Sequence, residues 1–252
     1  MNTYNPYSLA GKKVLVTGAS SGIGRAIAIE CSKMGAQVTI TARNVERLNE
    51  TLSLMEFPNN HKIIAADLSD TNMLDEVVNN IEEPLDGIVQ CAGFTIVKPF
   101  KFISESDIDS IMCVNYKAPV LLTQKLVKKK KVNKNSSIVL IASVSGAFVS
   151  SPAGGLYSGS KGAISGIAKA MALDLAPRGI RVNTVHPGMI DTNIFAKGDI
   201  TEEQLELDKK NYPLGRYGKP EEVAYAVVYL LSDASAWMTG TQLKIDGGLT
   251  LM

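Results

Sequence analysis

The sequence predicts an α/β fold, a single doubly wound domain around a parallel sheet. Three observations carry this. Short apolar runs with strand character alternate with helical patterns along the chain, the first such run leads straight into a glycine-rich turn that opens a helix, and no Pro-, Gly- or Ser-rich linker or internal repeat divides the 252 residues. Residues 1–252 are therefore expected to share one core, an ordinary size for an α/β domain.

The first strand is read at Lys12–Thr17, where Val14, Leu15 and Val16 form an unbroken apolar run of the kind buried on both faces. Residues 25–34 follow with helical spacing. Further strands are expected at Gln37–Ala42, His61–Ala66, Gly87–Gln90, Ser137–Ala142, Arg181–His186 and Gln242–Asp246. The intervening helical patterns are Asn44–Met55, Thr71–Ile81, Glu105–Ile111, Pro119–Lys129, Leu156–Ala176 and Pro220–Leu231.

The turn after the first strand reads Gly18-Ala19-Ser20-Ser21-Gly22-Ile23-Gly24. In a strand–turn–helix unit the first glycine allows the tight turn, and the later ones let backbone approach a pyrophosphate at the positive end of the helix. The spacing is Gly-x-x-x-Gly-x-Gly rather than the common Gly-x-Gly-x-x-Gly fingerprint, and a glycine turn without ligand is the alternative. A nucleoside-triphosphate P-loop is excluded, because no Lys followed by Ser or Thr comes after the glycines.

An NAD-binding unit carries an acidic residue at the end of its second strand to bond the adenosine ribose. The chain has Thr41-Ala42-Arg43-Asn44 there. A guanidinium suits a 2′-phosphate, so NADPH is expected over NADH, with Arg43 as the main contact and Ser20 and Ser21 as helpers. The alternative is a plain surface arginine.

Tyr157 and Lys161 stand four residues apart within a helical pattern, which stacks a phenol and an ammonium on one face. A nearby cation favours the phenolate form of a tyrosine, and an acid tuned this way suits carbonyl reduction or alcohol oxidation. The spacing alone arises by chance in many helices.

Taken as a set, these residues resemble the short-chain dehydrogenase/reductase family, over about residues 8–250. The resemblance rests on Thr17 to Gly24, Asp67-Leu68, Ala92-Gly93, Asn115, Ser143, Tyr157 to Lys161 and Pro187-Gly188. Pro213 to Ala224 and Ile245 to Gly248 are most similar to the 3-oxoacyl-acyl-carrier-protein reductases of that family, a pattern also found in sugar, polyol and steroid members.

The resemblance implies a seven-stranded Rossmann-type sheet. It implies cofactor contacts from Gly18, Ser20, Ser21, Gly22, Ile23, Gly24, Arg43, Asp67, Leu68, Cys91, Ala92, Gly93, Tyr157, Lys161, Pro187, Gly188 and Ile190. Ser143 would bond the substrate carbonyl, Tyr157 would protonate it, Lys161 would hold the nicotinamide ribose, and Asn115 would hold a water in a proton relay. Ser145 is the alternative to Ser143, and an ordinary helix-interior amide is the alternative for Asn115. The family's lid would span about residues 188–217, with Met189, Ile194, Phe195, Tyr212 and Leu214 as a mostly apolar cover.

The expected reaction is NADPH-dependent reduction of a ketone, a 3-oxoacyl thioester first, with sugar, polyol or steroid substrates as the alternative and a non-catalytic dinucleotide-binding protein as the remote one. The substrate would be a small ketone or one carried on acyl carrier protein, to whose docking Lys128–Lys131 or Arg178 could contribute, and fatty acid biosynthesis would be the setting. A homotetramer is implied, through the long helix from Leu156 and a tail bearing Leu243, Ile245, Leu249, Leu251 and Met252. One departure stands out. Gln90-Cys91-Ala92-Gly93 replaces the usual Asn-Asn-Ala-Gly, so a thiol stands where an amide bonds across the sheet, at an expected cost of about 1 kcal/mol.

Other chemistries find little support. A net charge of +1 gives no global field for nucleic acid or membrane, and the run Lys128–Lys131 with Lys134 suits a solvated helix end. The three cysteines, Cys31, Cys91 and Cys113, show no Cys-x-x-Cys spacing, so buried free thiols are expected and no metal site. The two histidines, His61 and His186, belong to no nucleophile constellation, and a Gly-x-Ser-x-Gly elbow is missing. The first residues lack a secretory pattern, and the apolar run Val223–Leu231 is far shorter than the roughly 20 residues of a membrane span, so a cytoplasmic protein is expected.

Overall fold

The computed structural model describes residues 4–192 and 201–252. Its strands are β1 (Lys13–Thr17), β2 (Gln37–Ala42), β3 (Lys62–Ala65), β4 (Leu85–Gln90), β5 (Val132–Ile141), β6 (Arg181–Pro187) and β7 (Gln242–Ile245). They form one seven-stranded sheet in the order β3-β2-β1-β4-β5-β6-β7, every pair parallel. The order reverses between β1 and β4, and the crevice beyond the carboxyl ends of these strands is where such folds bind their ligands.

The main helices are α1 (Gly22–Lys33), α2 (Val45–Ser53), α3 (Thr71–Asn80), α4 (Glu105–Met112), α5 (Ala118–Lys128), α6 (Gly155–Leu175), α7 (Glu202–Lys209) and α8 (Pro220–Leu231). Side chains alternate along each strand and feed two cores. Val14, Val16, Val89, Val139 and Val185 face α1 and α8, whereas Leu15, Ile88, Ile138, Leu140 and Val182 face α3, α5 and α6. Each such fully buried aliphatic side chain contributes about 1.5–3 kcal/mol.

Three elements depart from the sequence reading. β5 begins at Val132 instead of Ser137, since Leu85 pairs with Val132 ahead of a register shift before Gly87 and Ser137. Asn133-Lys134-Asn135 interrupts the apolar pattern there, and Asn135 adopts a left-handed φ of 61°. Helix α7 was not expected: Glu202–Lys209 is strongly charged and shows little periodicity, and the available signal was the capping box between Thr201 and Gln204. Between α4 and α5, Cys113–Lys117 winds as a π-helix, with the Ala118 N–H reaching back to the Cys113 carbonyl. Pro119 has no N–H for the Asn115 carbonyl, a circumstance that disfavours regular α-helix at this point.

Among the described residues no helix is long and apolar enough to cross a membrane. Cys31 is buried, while Cys91 and Cys113 are only partly so, and all three are free thiols.

Candidate functional site

The β1–α1 turn is built so that only glycine fits. Gly18 has φ +69°, and a Cβ there would lie 2.7 Å from the Ala92 Cα. A Cβ on Gly24 would come within 2.2 Å of the Gly18 carbonyl oxygen. The Gly18 and Ala19 N–H groups donate to the Thr41 carbonyl at 2.9 and 3.3 Å, which ties the turn to the end of β2. Ser21 caps α1 in extended conformation without a side-chain bond, and the first turn carries no acid. A bare backbone cradle at a positive helix end fits a pyrophosphate.

Around that turn the sequence-predicted contacts gather at the carboxyl ends of the strands. Arg43 follows β2 with an exposed guanidinium 3.9 Å from the Asp67 carboxylate. The Ser69 amide and hydroxyl bond Asp67 at 3.0 and 2.7 Å, and these bonds hold its pKa below the ordinary carboxylate value, with Arg43 a smaller contributor. Leu68 is buried in the core. The Gly188 N–H donates to Ile245 at 2.9 Å, and Ile190 is buried and bridges to Gly218, so the segment after Pro187 is pinned to β7 and to the start of α8.

The residues after β4 are held by a buried network that the sequence reading missed. Thr17 Oγ1 accepts the N–H groups of Cys91 at 3.0 Å and Ala92 at 3.1 Å and donates to Gln90 Oε1 at 3.2 Å; Gln90 Nε2 in turn donates to Thr123 Oγ1 at 3.1 Å. The cross-sheet amide is therefore Gln90, one residue before the thiol expected to have displaced it. Burial pushes the Cys91 thiol up to about 12, the opposite of what a reactive thiolate needs.

Lys161 lies on α6 with only 5% of its surface exposed, and its Nζ donates to the Ile141 carbonyl at 2.7 Å. It sits 5.7 Å from the Tyr157 ring centroid, one turn earlier, where the helical spacing placed it. A Cβ on Gly93 would lie 3.0 Å from Asn115 Oδ1 and 3.5 Å from Lys161 Nζ, so Gly93, Asn115 and Lys161 meet at one point. The Asn115 side chain staples the loop after β4: Oδ1 accepts the Phe94 N–H at 3.0 Å, and Nδ2 donates to the Phe94 carbonyl at 2.9 Å and to Ser160 Oγ at 3.0 Å. The buried amide is thus occupied by the protein itself, and its main-chain carbonyl lies in the π-helix.

Ser143 stands two residues past β5, nearly buried, with Oγ accepting the Ser145 N–H at 3.1 Å. Ser145 points elsewhere, its hydroxyl 2.7 Å from Ser158 Oγ, which also meets Ser150 Oγ at 3.1 Å. The Ser143 carbonyl meets His186 Nδ1 at 2.7 Å. Burial lowers the pKa of that imidazole, the Ser143 bond opposes this, and Lys161 and Lys169 lower it further.

Of the expected lid, Ile194 and Phe195 lie outside the described residues. Leu214 and Met189 are exposed, whereas Tyr212 is buried edge-on against Tyr217 with ring centroids 5.5 Å apart. The Tyr217 hydroxyl bonds Asp208 of α7 at 2.8 Å and Lys209 lies over its ring, which fastens α7 to the residues before α8.

The lysines considered for acyl-carrier-protein docking are partly engaged within the chain. Lys129 bonds Asn79 at 2.9 Å, Lys131 reaches the Glu82 carbonyl at 3.4 Å, and Arg178 caps the Val132 carbonyl at 2.6 Å.

Comparison with known proteins agrees with this geometry. A family model described as Enoyl-(Acyl carrier protein) reductase matches residues 18–250. The chain is 34% identical over 244 residues to the 3-oxoacyl-[acyl-carrier-protein] reductase of Rickettsia bellii, covering 97% of this chain and 99% of that protein. Among solved structures it superposes on a candidate short-chain alcohol dehydrogenase from Sinorhizobium meliloti with a TM-score of 0.92 at 32% identity, covering 98% and 99% of the two chains. A candidate 2-deoxy-D-gluconate 3-dehydrogenase from Agrobacterium tumefaciens, solved with bound NADP, superposes with a TM-score of 0.89 at 31% identity, covering 99% and 100%. Full-length similarity at this level, together with the parallel sheet, the dinucleotide crevice and the Tyr157–Lys161 pair, makes the chain an oxidoreductase of the short-chain dehydrogenase/reductase family.

Proposed function

We propose that the protein reduces a 3-oxoacyl thioester to the 3-hydroxyacyl thioester at the expense of NADPH. The observation that carries this is the buried Lys161 ammonium, held by Ile141 beside Tyr157 and facing Gly93 and Asn115 at the end of the dinucleotide crevice. The glycine cradle, Thr17-anchored Ala92 and Gly93 suit the pyrophosphate and nicotinamide ends, and Arg43 suits a 2′-phosphate. The bound dinucleotide supplies a hydride to the carbonyl carbon.

The chain's own residues govern the oxygen. Ser143 Oγ, oriented by the Ser145 N–H, keeps its proton free to bond the ketone oxygen. Tyr157 gives up its phenolic proton to that oxygen as negative charge develops, so the carbonyl becomes a secondary alcohol. The Lys161 ammonium stabilises the phenolate left behind, and solvent returns the proton. Asn115 contributes in two ways: its amide fixes Phe94 beside the crevice, and its main-chain carbonyl, denied the Pro119 N–H, is suited to hold the water through which that proton arrives.

Exposed Phe94, Phe148, Met189 and Leu214 support an apolar acyl chain over a sugar. Exposed Leu173, Trp237, Leu251 and Met252 support a homotetramer, since such apolar surface gains from burial between subunits. The free thiols suit a reducing cytoplasm. The deciding experiment is a substrate panel of acetoacetyl thioesters, keto-sugars and steroid ketones, each with NADPH and NADH. Fastest turnover of the thioesters with NADPH is expected, and turnover confined to keto-sugars would overturn the substrate assignment.

A further inference from the structure

Both histidines of the chain are buried and bonded at both ring nitrogens, and their partners dictate opposite tautomers. His61 Nδ1 accepts the Val38 N–H at 3.1 Å, so its proton must sit on Nε2, which reaches the Glu56 carbonyl at 2.7 Å. His186 is reversed. Its Nδ1 faces the Ser143 carbonyl, an acceptor only, at 2.7 Å, so Nδ1 must carry the proton.

The other side of the His186 ring closes the argument. Nε2 lies 2.8 Å from Thr184 Oγ1, which has a second acceptor in the Thr241 carbonyl at 3.1 Å. That carbonyl accepts the Thr184 N–H at 2.9 Å and has a second lone pair for the hydroxyl, so the single hydroxyl proton is shared between it and the bare Nε2 that an Nδ1–H ring presents at the shorter distance. The imidazole has no solvent exposure, and the Phe148 ring meets it edge-on at 5.2 Å between centroids. Lys244 in turn lies 5.0 Å over the Phe148 ring.

The Ser143 carbonyl shares its peptide unit with the Val144 N–H. Ala142 and Val144 donate their N–H groups to Val185 at 2.9 Å and Pro187 at 3.1 Å, so the β5–β6 ladder fixes the residues on either side. The peptide that carries the Ser143 carbonyl is therefore held at both edges, by His186 Nδ1–H on its oxygen and by the Pro187 carbonyl on its Val144 N–H. From these contacts we infer that His186, in its Nδ1–H form, is a positioning residue for Ser143, fixing together with the Val144–Pro187 bond the peptide plane from which the serine hydroxyl is presented to the substrate carbonyl.

This rests on the reductase reading in assigning Ser143 to the ketone, whereas the histidine–serine coupling belongs to the protein without ligand. Misplacing an aligned group by about 1 Å costs on the order of 100-fold in rate. His186→Leu removes the Nδ1 donor and keeps apolar bulk, and is expected to lower kcat for the ketone by roughly 10- to 100-fold with the dinucleotide Kd unchanged. His186→Asn places an amide N–H near the position of Nδ1 and is expected to restore most of that loss. A role in packing alone predicts the reverse order, with Leu tolerated better than Asn.

The measurement independent of turnover is the ring 15N spectrum of the native protein. One histidine, assigned by its absence from the His186→Asn spectrum, should report Nδ1–H, and the other Nε2–H. An Nε2–H or doubly protonated His186 near neutral pH overturns the inference even if the leucine variant fails to fold. Equal kcat in the native and leucine enzymes overturns it while leaving the reductase reading standing. A native enzyme that turns over no ketone but shows the expected tautomers overturns the reductase reading, and with it the catalytic consequence drawn for Ser143.

Discussion

Lys161 Nζ donates to the Ile141 carbonyl at 2.7 Å, so the end of β5 holds the ammonium that α6 delivers, two residues before Ser143. The bond fixes a flexible side chain in a nearly water-free setting, where a charge acts more strongly than at the surface. Lys161→Met should therefore lower kcat by about 100- to 1000-fold, the usual effect of removing a preorganised charge partner, and raise KM for the dinucleotide. Steady-state kinetics with both substrates varied checks this. An unchanged KM for the dinucleotide would detach Lys161 from the ribose.

Tyr157 supplies the transferred proton in the proposed reaction and is only partly buried at the head of α6. Tyr157→Phe removes a single oxygen and leaves the ring that packs beside Lys161. Loss of turnover by at least roughly 1000-fold is expected, with dinucleotide affinity within about twofold by fluorescence titration. Near-native turnover would mean that another acid protonates the product.

Arg43 faces solvent, and its 3.9 Å contact joins an exposed guanidinium to the half-buried Asp67 carboxylate, so the guanidinium is weakly held. Asp67 meanwhile is bonded by Ser69, which leaves it little reason to hold Arg43 against a phosphate. Arg43→Ala should cut kcat/KM for NADPH by about 10- to 100-fold, the worth of a charge-assisted pair at roughly 1.5–3 kcal/mol, and leave the value for NADH nearly unaltered. A preference for NADH in the native enzyme would end the 2′-phosphate assignment.

What the sequence revealed and what it hid divide along physical lines. Strands such as Val14-Leu15-Val16 declare themselves because burial on both faces leaves an unbroken apolar run, and Gly18 to Gly24 because only glycine fits those backbone distances. Tyr157 and Lys161 are legible through helical spacing. Thr17, Gln90 and Thr123 were not, since their network joins residues 73 and 33 positions apart and no periodicity marks a cross-sheet hydrogen bond. His186 read as a strand end because its partner, the Ser143 carbonyl, is backbone and bears no signature in sequence. The π-helix at Asn115 left one clue, Pro119, which reads equally well as the start of a new helix.

Thr17 makes three hydrogen bonds through one oxygen, to Cys91, Ala92 and Gln90. Thr17→Val keeps the shape and deprives two backbone N–H groups of their acceptor in a buried place. A loss of about 1–3 kcal/mol per unsatisfied group sets the scale, so the urea midpoint should fall clearly with the slope unchanged. Dinucleotide affinity should fall as well, because Ala92 abuts Gly18. Thr17→Ser, which retains the oxygen, should recover most of both.

Glu222 offers a test against pH. Its carboxylate receives Arg216 through two bonds, at 2.8 and 2.6 Å, and the Lys219 N–H at 2.7 Å, and these hold its pKa at about 2, well below the ordinary 4.5. The unfolded chain binds a proton at this position more readily than the folded one, so stability falls as pH falls. The contribution is complete above about 4.5 and gone once pH reaches about 2. Glu222→Gln should be less stable than the native protein near neutrality, with the two unfolding curves converging toward pH about 2. Because Arg216 and Lys219 flank Gly218, whose N–H donates to Met189 at 3.0 Å, the variant should also loosen the segment after Pro187, measurable as faster amide exchange at residues 189–191. Parallel curves at every pH would show that Glu222 titrates as it does in the unfolded chain.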